Sequence, residues 1–581
     1  MAAAIIVTSL LAVDVDTTAG VVRGRIIDGV ATFRGIPYAA APTGELRWRN
    51  PVPAASWNGT LDALKDAPGC PQHCGLPAIA CPPVQSEDCL ALNVFAPAKL
   101  AHEKRAVLFW IHGGDFYQGY GGGALYDGSS LVKAHDLVVV AINYRLGALG
   151  FLYSGSDPDK NFRGNFGLAD QRLALEWARD NVARFGGDPN RVTIAGQSAG
   201  GMSVASHLCM AKSQGLFARA IIESDPFGLP FRTAKTYPSF SKTVARYAGC
   251  SHQRRSVISA PQPYEPCMRS IDYKDIVAAQ VKAQKDLLVE LGHFLDLFVP
   301  FSPVVGVDDF HEQPLAALVH GRMHDVPIIM GSVSNETLLF IWEAFPKSLS
   351  AIEEEAMLGI SFGFENTSKI LKQYPRPATE VQAEEEEDVG EEVSAHKTEA
   401  RPMDTAAAAG AVAAAAHASS GTRDLRVHAT NITNDALFYC PIRHAAIELS
   451  KQEQRGARKS PTYVYHFDHV ISYGGKFWRP KFPECVDSVC HSEELPFVFD
   501  PNTSILNASF TADETRLTTS MQEAWGGFVR TASPGGVWPP FETHKEASML
   551  FRTPSTAVEY AAYAHRCGFW DQIGYEWVLK P

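Results

Sequence analysis

Beyond residue 13, the sequence of 581 residues has no apolar stretch long enough to span a membrane. It also has no Cys-x-x-Cys pair and no internal repeat. These absences argue against an integral membrane span, a zinc ribbon and a repeat protein. Basic residues are also scarce, because 52 Lys and Arg stand against 64 Asp and Glu, for a net charge of -12. An acidic chain of this kind is not expected to bind nucleic acid or an anionic membrane surface.

One segment, residues 378–424, almost lacks large apolar side chains. An acidic run at residues 384–392 is followed by an alanine-rich stretch at residues 405–421. Such a segment cannot bury enough apolar area to offset the entropy lost on ordering, and an alanine-rich helix there would have nothing to anchor it. The whole chain is 46% hydrophobic and 20% charged, which is a globular composition. We therefore expect one folded domain over residues 13–581, interrupted by a disordered insertion at residues 378–424.

The 11 cysteines favour disulfides and an oxidising compartment. Several lie in close pairs within proline-rich sequence, and none has a histidine at zinc-finger spacing, so we expect no metal site. Residues 2–13 form a short apolar run that fits a signal peptide over residues 1–12. No Lys or Arg precedes that run, and a truncated start is the alternative. We expect a secreted protein, and glycosylation would suit the sequons at Asn58, Asn335, Asn366, Asn431, Asn502 and Asn507.

The first half of the chain alternates strand-like and helix-like segments. Residues 105–112, 136–144 and 191–195 are short apolar runs rich in valine and isoleucine. Residues 167–185 place apolar side chains at helical spacing and end in Gly-Gly-Asp-Pro, a helix stop. Strands that are apolar on both faces and separated by helices predict an α/β fold, with a large, mostly parallel central sheet and helices on both faces.

Residues 196–200 read Gly-Gln-Ser-Ala-Gly and match the motif Gly-x-Ser-x-Gly. The motif follows the predicted strand at residues 191–195 and opens a segment compatible with a helix. Small residues around the serine permit the tight strand-to-helix turn that exposes a hydroxyl above a sheet edge. We therefore predict that Ser198 is a nucleophile, and that the N–H of Ala199 at the new helix N-terminus faces a developing oxyanion.

A second glycine-containing loop follows the strand at residues 105–112. Gly113 and Gly114 lack side chains that would obstruct a substrate, so we predict that their N–H groups complete an oxyanion hole with Ala199. The nearby residues 119–124 formally fit the dinucleotide-binding pattern Gly-x-Gly-x-x-Ala. The sequence after them is turn-like rather than helical, which argues against that interpretation, and we expect no cofactor.

The serine also needs a general base, but with 19 histidines spacing alone cannot select one. Several longer runs resemble the type-B carboxylesterase/lipase family, which includes the cholinesterases. Together they extend over nearly the whole chain apart from the insertion. The matching runs are residues 33–43, 86–94, 111–116, 143–151, 165–200, 490–499 and 538–539.

The resemblance implies an α/β-hydrolase fold and a carboxylic ester hydrolase that works through an acyl-enzyme. It places the catalytic histidine at His491, just before an acidic and aromatic run, and the catalytic acid at Glu336, in the stretch Gly-Ser-Val-Ser-Asn-Glu. The serine, acid, histidine order is the one that α/β-hydrolases use. By chain order Asp435 is the fallback acid, since it also lies between Ser198 and His491.

The chain departs from the family pattern at three positions beside these residues. Many members have glutamate before the serine, where this chain has Gln197. Glycine commonly follows the acid and the histidine, whereas here Thr337 and Ser492 follow them. These differences alter the loops and leave the three side chains in place.

The resemblance also implies a disulfide pattern. It pairs Cys70 with Cys89 and Cys250 with Cys267. Cys74 and Cys81 then close an inner loop, with 70–81 and 74–89 as the alternative pairing. A bridge from Cys485 to Cys490 would stiffen the approach to His491. Cys209, Cys440 and Cys567 are left over.

The substrate is less defined than the chemistry. In cholinesterases the loop closed by the first disulfide carries a Trp that stacks on quaternary ammonium, whereas residues 71–88 here contain no Phe, Tyr or Trp. We expect a small-molecule or lipid ester as substrate, with an acyl pocket that draws on residues 297–305. A lipase is the alternative enzyme, and a non-catalytic adhesion protein on the same fold is disfavoured because the three side chains are kept. The sequence does not predict the oligomeric state.

Overall fold

A computed structural model describes residues 11–99, 104–156, 162–250, 265–287, 294–377, 424–501 and 508–579. Most of the predicted signal peptide and of the predicted insertion lies outside these ranges. Leu11 and Ala12, the last residues of the predicted signal peptide, begin the first strand. In the described ranges no helix combines the length and the apolar character needed to cross a membrane.

Thirteen strands of the described residues form one sheet. Along the sheet they lie in the order β1-β2-β3-β5-β7-β6-β8-β9-β10-β11-β12-β13, and β4 pairs with β2. From β7 to β12 each neighbouring pair is parallel, the other neighbouring pairs in this order are antiparallel, and β4 is parallel to β2. The strands are β1 Leu11–Asp16, β2 Val21–Ile27, β3 Val30–Pro37, β4 Thr60–Asp62, β5 Ala91–Pro97, β6 Arg105–Ile111, β7 Val138–Ile142, β8 Gly187–Gln197, β9 Arg219–Glu223, β10 Ile328–Val333, β11 Thr462–Phe467, β12 Ala547–Phe551 and β13 Ala557–Tyr560.

Helices cover both faces of this sheet, which confirms the predicted α/β class. They are Ser129–His135, Gly147–Phe151, Phe166–Asn181, Ala199–Cys209, Tyr237–Tyr247, Glu265–Ser270, Tyr273–Leu287, Pro314–Val319, Leu338–Ala344, Ala351–Phe362, Phe364–Gln373, Arg426–Asn434, Cys440–Gln454, Gly474–Phe477, Leu495–Phe499, Ala512–Thr531, Ala564–Ile573 and Glu576–Leu579.

The central strands are buried on both sides. Along β6, Val107, Phe109 and Ile111 belong to one hydrophobic cluster, and Leu108 and Trp110 belong to the other. Successive side chains of a strand point to opposite faces, so the two clusters are the two covered faces of the sheet. This double burial is the physical reason for the continuous apolar runs in the sequence.

Five disulfides join cysteines within the described residues. The interpretation that left Cys440 and Cys567 unpaired is wrong, and Cys209 is the free cysteine. Cys440 begins one helix and Cys567 lies in another, 127 residues further on, so the bridge depends on how these helices pack, which local sequence does not encode. The bridges join Cys70 to Cys89, Cys74 to Cys81, Cys250 to Cys267, Cys440 to Cys567 and Cys485 to Cys490.

The Cys440–Cys567 bridge closes a long loop, and this makes its contribution to stability testable. Replacing both cysteines by serine should destabilise the fold by about 2–5 kcal/mol, because the bridge limits the entropy of the unfolded chain. Thermal unfolding under non-reducing conditions measures the effect, with Cys209→Ser as the matched control for loss of an unpaired thiol. Equal unfolding midpoints for the double variant and the control would contradict this role.

Candidate active site

Three of the parallel strands end at the same edge of the sheet, and each leads into a segment of the site. β6 ends at Ile111, β8 at Gln197 and β10 at Val333. The carboxyl ends of parallel strands meet at one edge, where α/β proteins place their ligands. The sequence between β11 and β12 adds His491, and an isolated bridge pairs Cys490 with Asn335, which ties the histidine segment to the loop after β10.

Ser198 stands at the sharp turn between β8 and the helix Ala199–Cys209. Its backbone is left-handed, with φ 58° and ψ -127°, which non-glycine residues rarely adopt. A Cβ at Gly196 would lie 2.5 Å from the backbone of Gly200, and a Cβ at Gly200 would lie 2.1 Å from the carbonyl oxygen of Ile111. The two glycines of the motif are therefore required by close backbone approach, and the turn holds the serine side chain at the sheet edge.

His491 is held by Glu336. The Nδ1 of His491 lies 2.5 Å from Oε2 of Glu336, and the backbone N–H of Val333 donates to Oε1 of the same carboxylate at 2.8 Å. Glu336 is fully buried. Burial opposes the charged imidazolium, but the charge of Glu336 and its hydrogen bond outweigh burial and raise the pKa of His491.

Ser198 and His491 line the same cavity. In the described part of the chain His491 has no hydrogen bond to the Ser198 hydroxyl. Its Nε2 faces the side-chain amide of Gln197 instead, with 3.1 Å between the two Nε2 atoms. Bonds of this kind are often long or absent without substrate, so the arrangement remains compatible with proton transfer from the serine.

Two aromatic rings pack edge-on against His491 and fix its plane. The ring centroids of Phe340 and Phe438 lie 5.3 Å and 5.8 Å from the imidazole. Phe340 belongs to the helix after Glu336, and Phe438 lies in the π-helical turn Asp435–Tyr439. The sequence analysis did not identify either ring, because no local motif links these segments to His491.

The loop after β6 carries backbone N–H groups with no hydrogen-bond partner among the described residues. They belong to the predicted donors Gly113 and Gly114 and to Asp115, and among the described residues the N–H of the third predicted donor, Ala199 at the start of the helix after β8, has no partner either. Gly114 has a φ of 106° and Asp115 a φ of 54°, so this loop needs left-handed backbone. A Cβ on Gly113 would lie 2.6 Å from the carbonyl oxygen of Gln197, so Gly113 is small because the elbow packs directly against it.

Asp115 places a carboxyl in the cavity that the sequence analysis did not single out. Burial raises its pKa to about 7, the charge of His491 lowers it, and the charge of Glu343 raises it again. Its hydrogen-bond partner is the side-chain amide of Gln118, at 3.3 Å. The site therefore contains a second carboxyl, close to His491, whose ionised form burial disfavours.

The main cavity has about 970 Å³ of space, part of it open to solvent. One wall comes from the Cys74–Cys81 loop, which has no aromatic residue, as the sequence shows. The lining also includes aromatic rings that no sequence motif indicated, at Phe477, Trp478 and Phe482. A narrower pocket behind Ser198 is apolar, and of the predicted segment 297–305 it uses Phe298 and Val299.

Two alternatives from the sequence do not match the structure. The Asp435 carboxylate binds the guanidinium of Arg566 and the hydroxyl of Tyr374, not His491. The segment after residues 119–124 forms a single 3₁₀ turn, Ala124–Tyr126, and not the helix that a dinucleotide site needs. Of the two acids weighed for His491, Glu336 is the one in contact with it.

Comparison with known proteins gives relatives over nearly the whole length. The crystal protein of Dictyostelium discoideum is 32% identical over 97% of this chain and 91% of its own. Acylcarnitine hydrolase of Mus musculus is 32% identical over 96% of this chain and 90% of its own. Para-nitrobenzyl esterase of Bacillus subtilis (strain 168) is 30% identical over 93% and 95%.

Solved structures agree with the sheet and its helices. A thermophilic pNB esterase superposes with a TM-score of 0.74 at 28% identity, covering 96% of this chain and 99% of that structure. A carboxylesterase of Geobacillus stearothermophilus gives a TM-score of 0.69 at 27% identity with the same coverage of 96% and 99%. The resemblance read from the sequence is confirmed, and so is the α/β-hydrolase fold that it implied.

The model of the carboxylesterase family matches residues 12–570. The match takes in the serine elbow, the glycine loop after β6, Glu336 and His491. Since the relatives of this family include ester hydrolases over nearly the full length, the chain is an ester-hydrolysing enzyme. The protein belongs to the carboxylesterase family.

Proposed function

We propose that the protein is a serine carboxylesterase in which Ser198, His491 and Glu336 form the catalytic triad. The observation that carries the proposal is the bond from His491 to the buried Glu336, in the cavity where the strained turn exposes Ser198. A serine hydroxyl is a weak nucleophile until a base accepts its proton, and the base needs a fixed orientation.

The reaction follows from these positions. His491 Nε2 accepts the Ser198 proton as Oγ attacks the ester carbonyl carbon, and the carbonyl oxygen becomes an oxyanion. The free N–H groups of Gly113, Gly114 and Ala199 donate to that oxyanion, with the neighbouring N–H of Asp115 as a further donor. The tetrahedral intermediate then expels the alcohol, which takes the proton from His491, and leaves an acyl group on Ser198. Water, deprotonated by His491, hydrolyses the acyl-enzyme to the acid.

Glu336 has two tasks in this scheme. Its carboxylate accepts a hydrogen bond from the Nδ1–H group, which keeps the proton of the neutral imidazole on Nδ1 and leaves the Nε2 lone pair available for the serine proton. It then stabilises the imidazolium formed during attack without taking the proton itself. The N–H of Val333 on its other oxygen keeps the carboxylate in the orientation that both tasks need.

The shape of the cavity supports small-molecule carboxylic esters as substrates. The narrow pocket beside Ser198 is lined mainly by apolar side chains, which include Met202, Phe298 and Leu437, and it suits a short acyl group. The wider space between the Cys74–Cys81 loop and Trp478 then takes the alcohol group. Space on one side of the serine is thus limited by packed side chains and on the other is open.

Secretion is also proposed, on the basis of the covalent framework. Five disulfides in the described residues suit an oxidising compartment. Two of the sequons, at Asn58 and Asn431, are exposed on the folded surface and accessible to glycosylation.

Loss of the nucleophile or of the acid tests the triad. Ser198→Ala should lower kcat for p-nitrophenyl acetate by about 10⁴–10⁶, and Glu336→Gln by about 10⁴, because the imidazole loses its orienting carboxylate. Asp435→Asn is the matched control, since it removes a buried carboxylate bonded to Arg566 and not to His491. It should weaken the fold and leave kcat within about threefold. Wild-type turnover in Ser198→Ala would refute the proposal.

The acyl pocket gives a second test. Phe298→Ala should open the narrow pocket, so that the kcat/KM ratio of p-nitrophenyl octanoate to acetate rises by about tenfold or more, at ~0.8 kcal/mol for each methylene newly buried. The control is Phe482→Ala, which removes a ring that lines the wide cavity and not the narrow pocket, and it should leave this ratio unchanged. A wild-type preference for emulsified long-chain esters would identify a lipase instead.

A further inference from the structure

We infer that Gln197 is a positioning residue that holds His491 in its neutral, proton-accepting form in the resting enzyme. The inference rests on the proposed function of His491 as general base. Gln197 directly precedes the nucleophile, and its side chain contacts the histidine rather than the serine hydroxyl. Many members of the family have a glutamate at this position, and the change from an acid to an amide is what the inference explains.

Gln197 has little freedom to point elsewhere. It is the last residue of β8, and only 2% of its surface is exposed. On one side its carbonyl oxygen and its side-chain Oε1 lie against Gly113, at 2.6 Å and 3.1 Å from where a Cβ would stand. On the other side its amide nitrogen lies 3.1 Å from Nε2 of His491. The side chain therefore bridges the glycine loop and the histidine.

The protonation of His491 decides which group of the amide faces it. The carboxylate of Glu336 accepts a hydrogen bond from Nδ1, so the proton of the neutral imidazole is on Nδ1 and Nε2 carries a lone pair. A lone pair needs a donor, and the NH₂ group of Gln197 is one. A carboxylate at the same place could not donate, and would favour a histidine protonated on both nitrogens.

This contact has a consequence for the resting site. The N–H of Gln197 satisfies Nε2 while no substrate is bound, and it favours the one imidazole tautomer that can accept the serine proton. When a bound substrate directs the serine hydroxyl toward Nε2, the hydrogen bond from the amide to Nε2 is lost. A hydrogen bond between neutral groups contributes little net free energy, so its loss costs little. Gln197 thus favours the proton-accepting tautomer of His491 and does not compete strongly with the serine hydroxyl for Nε2.

The charges around His491 indicate why a neutral residue at position 197 matters. Glu336 faces Nδ1, and the carboxyls of Glu494 and Asp115 lie close enough to favour the imidazolium further. The rings of Phe340 and Phe438 pack against the imidazole and contribute no charge. A further carboxylate at position 197 would add to this negative field and keep His491 protonated up to a higher pH.

The pH dependence of kcat/KM tests the inference, since the acidic limb reports the protonation of the base in the free enzyme. Gln197→Glu should raise the apparent pKa of that limb by about one or more, so that at pH 6 kcat/KM falls about tenfold below the wild type. Gln197→Met, of similar size and without a donor, should move the limb in the same direction by less. Both profiles are measured with p-nitrophenyl acetate.

Gln214→Glu is the matched control, because it makes the same change of charge at an exposed position and should leave the limb where it is. Limbs that coincide for wild type, Gln197→Met and Gln197→Glu would overturn the inference. Equal losses at every pH would also overturn it, since they would assign Gln197 a structural role. Failure of the proposed function is separate, because it would appear as activity remaining in Ser198→Ala.

Discussion

The left-handed backbone of Ser198 is the constraint on which the rest of the site depends. A non-glycine residue with a backbone φ of 58° is strained, and this conformation persists only where the surroundings leave no other. Here the turn is closed by direct backbone contact between Gly196, Gly200 and the end of β6, and the serine N–H donates to the carbonyl of Glu223 at 2.9 Å. The stability of the buried sheet thus offsets the backbone strain that holds the Ser198 hydroxyl at the sheet edge.

Much of this site could be predicted from sequence, and the reason is local geometry. A tight turn between a buried strand and a helix demands small residues at fixed spacing, so Ser198 and its glycines are visible as a motif. Glu336 and His491 needed the family resemblance, because a histidine 155 residues from its acid has no local pattern. The covering rings, Phe340 and Phe438, and the Cys440–Cys567 bridge lay beyond both kinds of argument. They arise from packing between segments that are far apart in the sequence, and no short sequence pattern predicts which of these segments come into contact.

The chemistry of His491 depends on how charge is distributed among several buried carboxyls. Burial raises the pKa of Glu494 to about 8 and of Asp115 to about 7, and it raises the pKa of Glu223 well above its usual range. Glu336 is also buried, and its carboxylate accepts hydrogen bonds from the imidazole and from the N–H of Val333, which offset part of the cost of its burial.

Gln197 and the carboxyls around His491 together determine how readily the imidazole is protonated. A general base works best when one carboxylate stabilises its cation enough to assist attack but not so strongly that it stays protonated in the resting enzyme. Glu336, Glu494 and Asp115 all favour the imidazolium, and the amide at position 197 adds no further negative charge beside it. The substitution of an amide for an acid beside the serine thus acts on the histidine, through its protonation, and leaves the geometry of the nucleophile to the glycines that surround it.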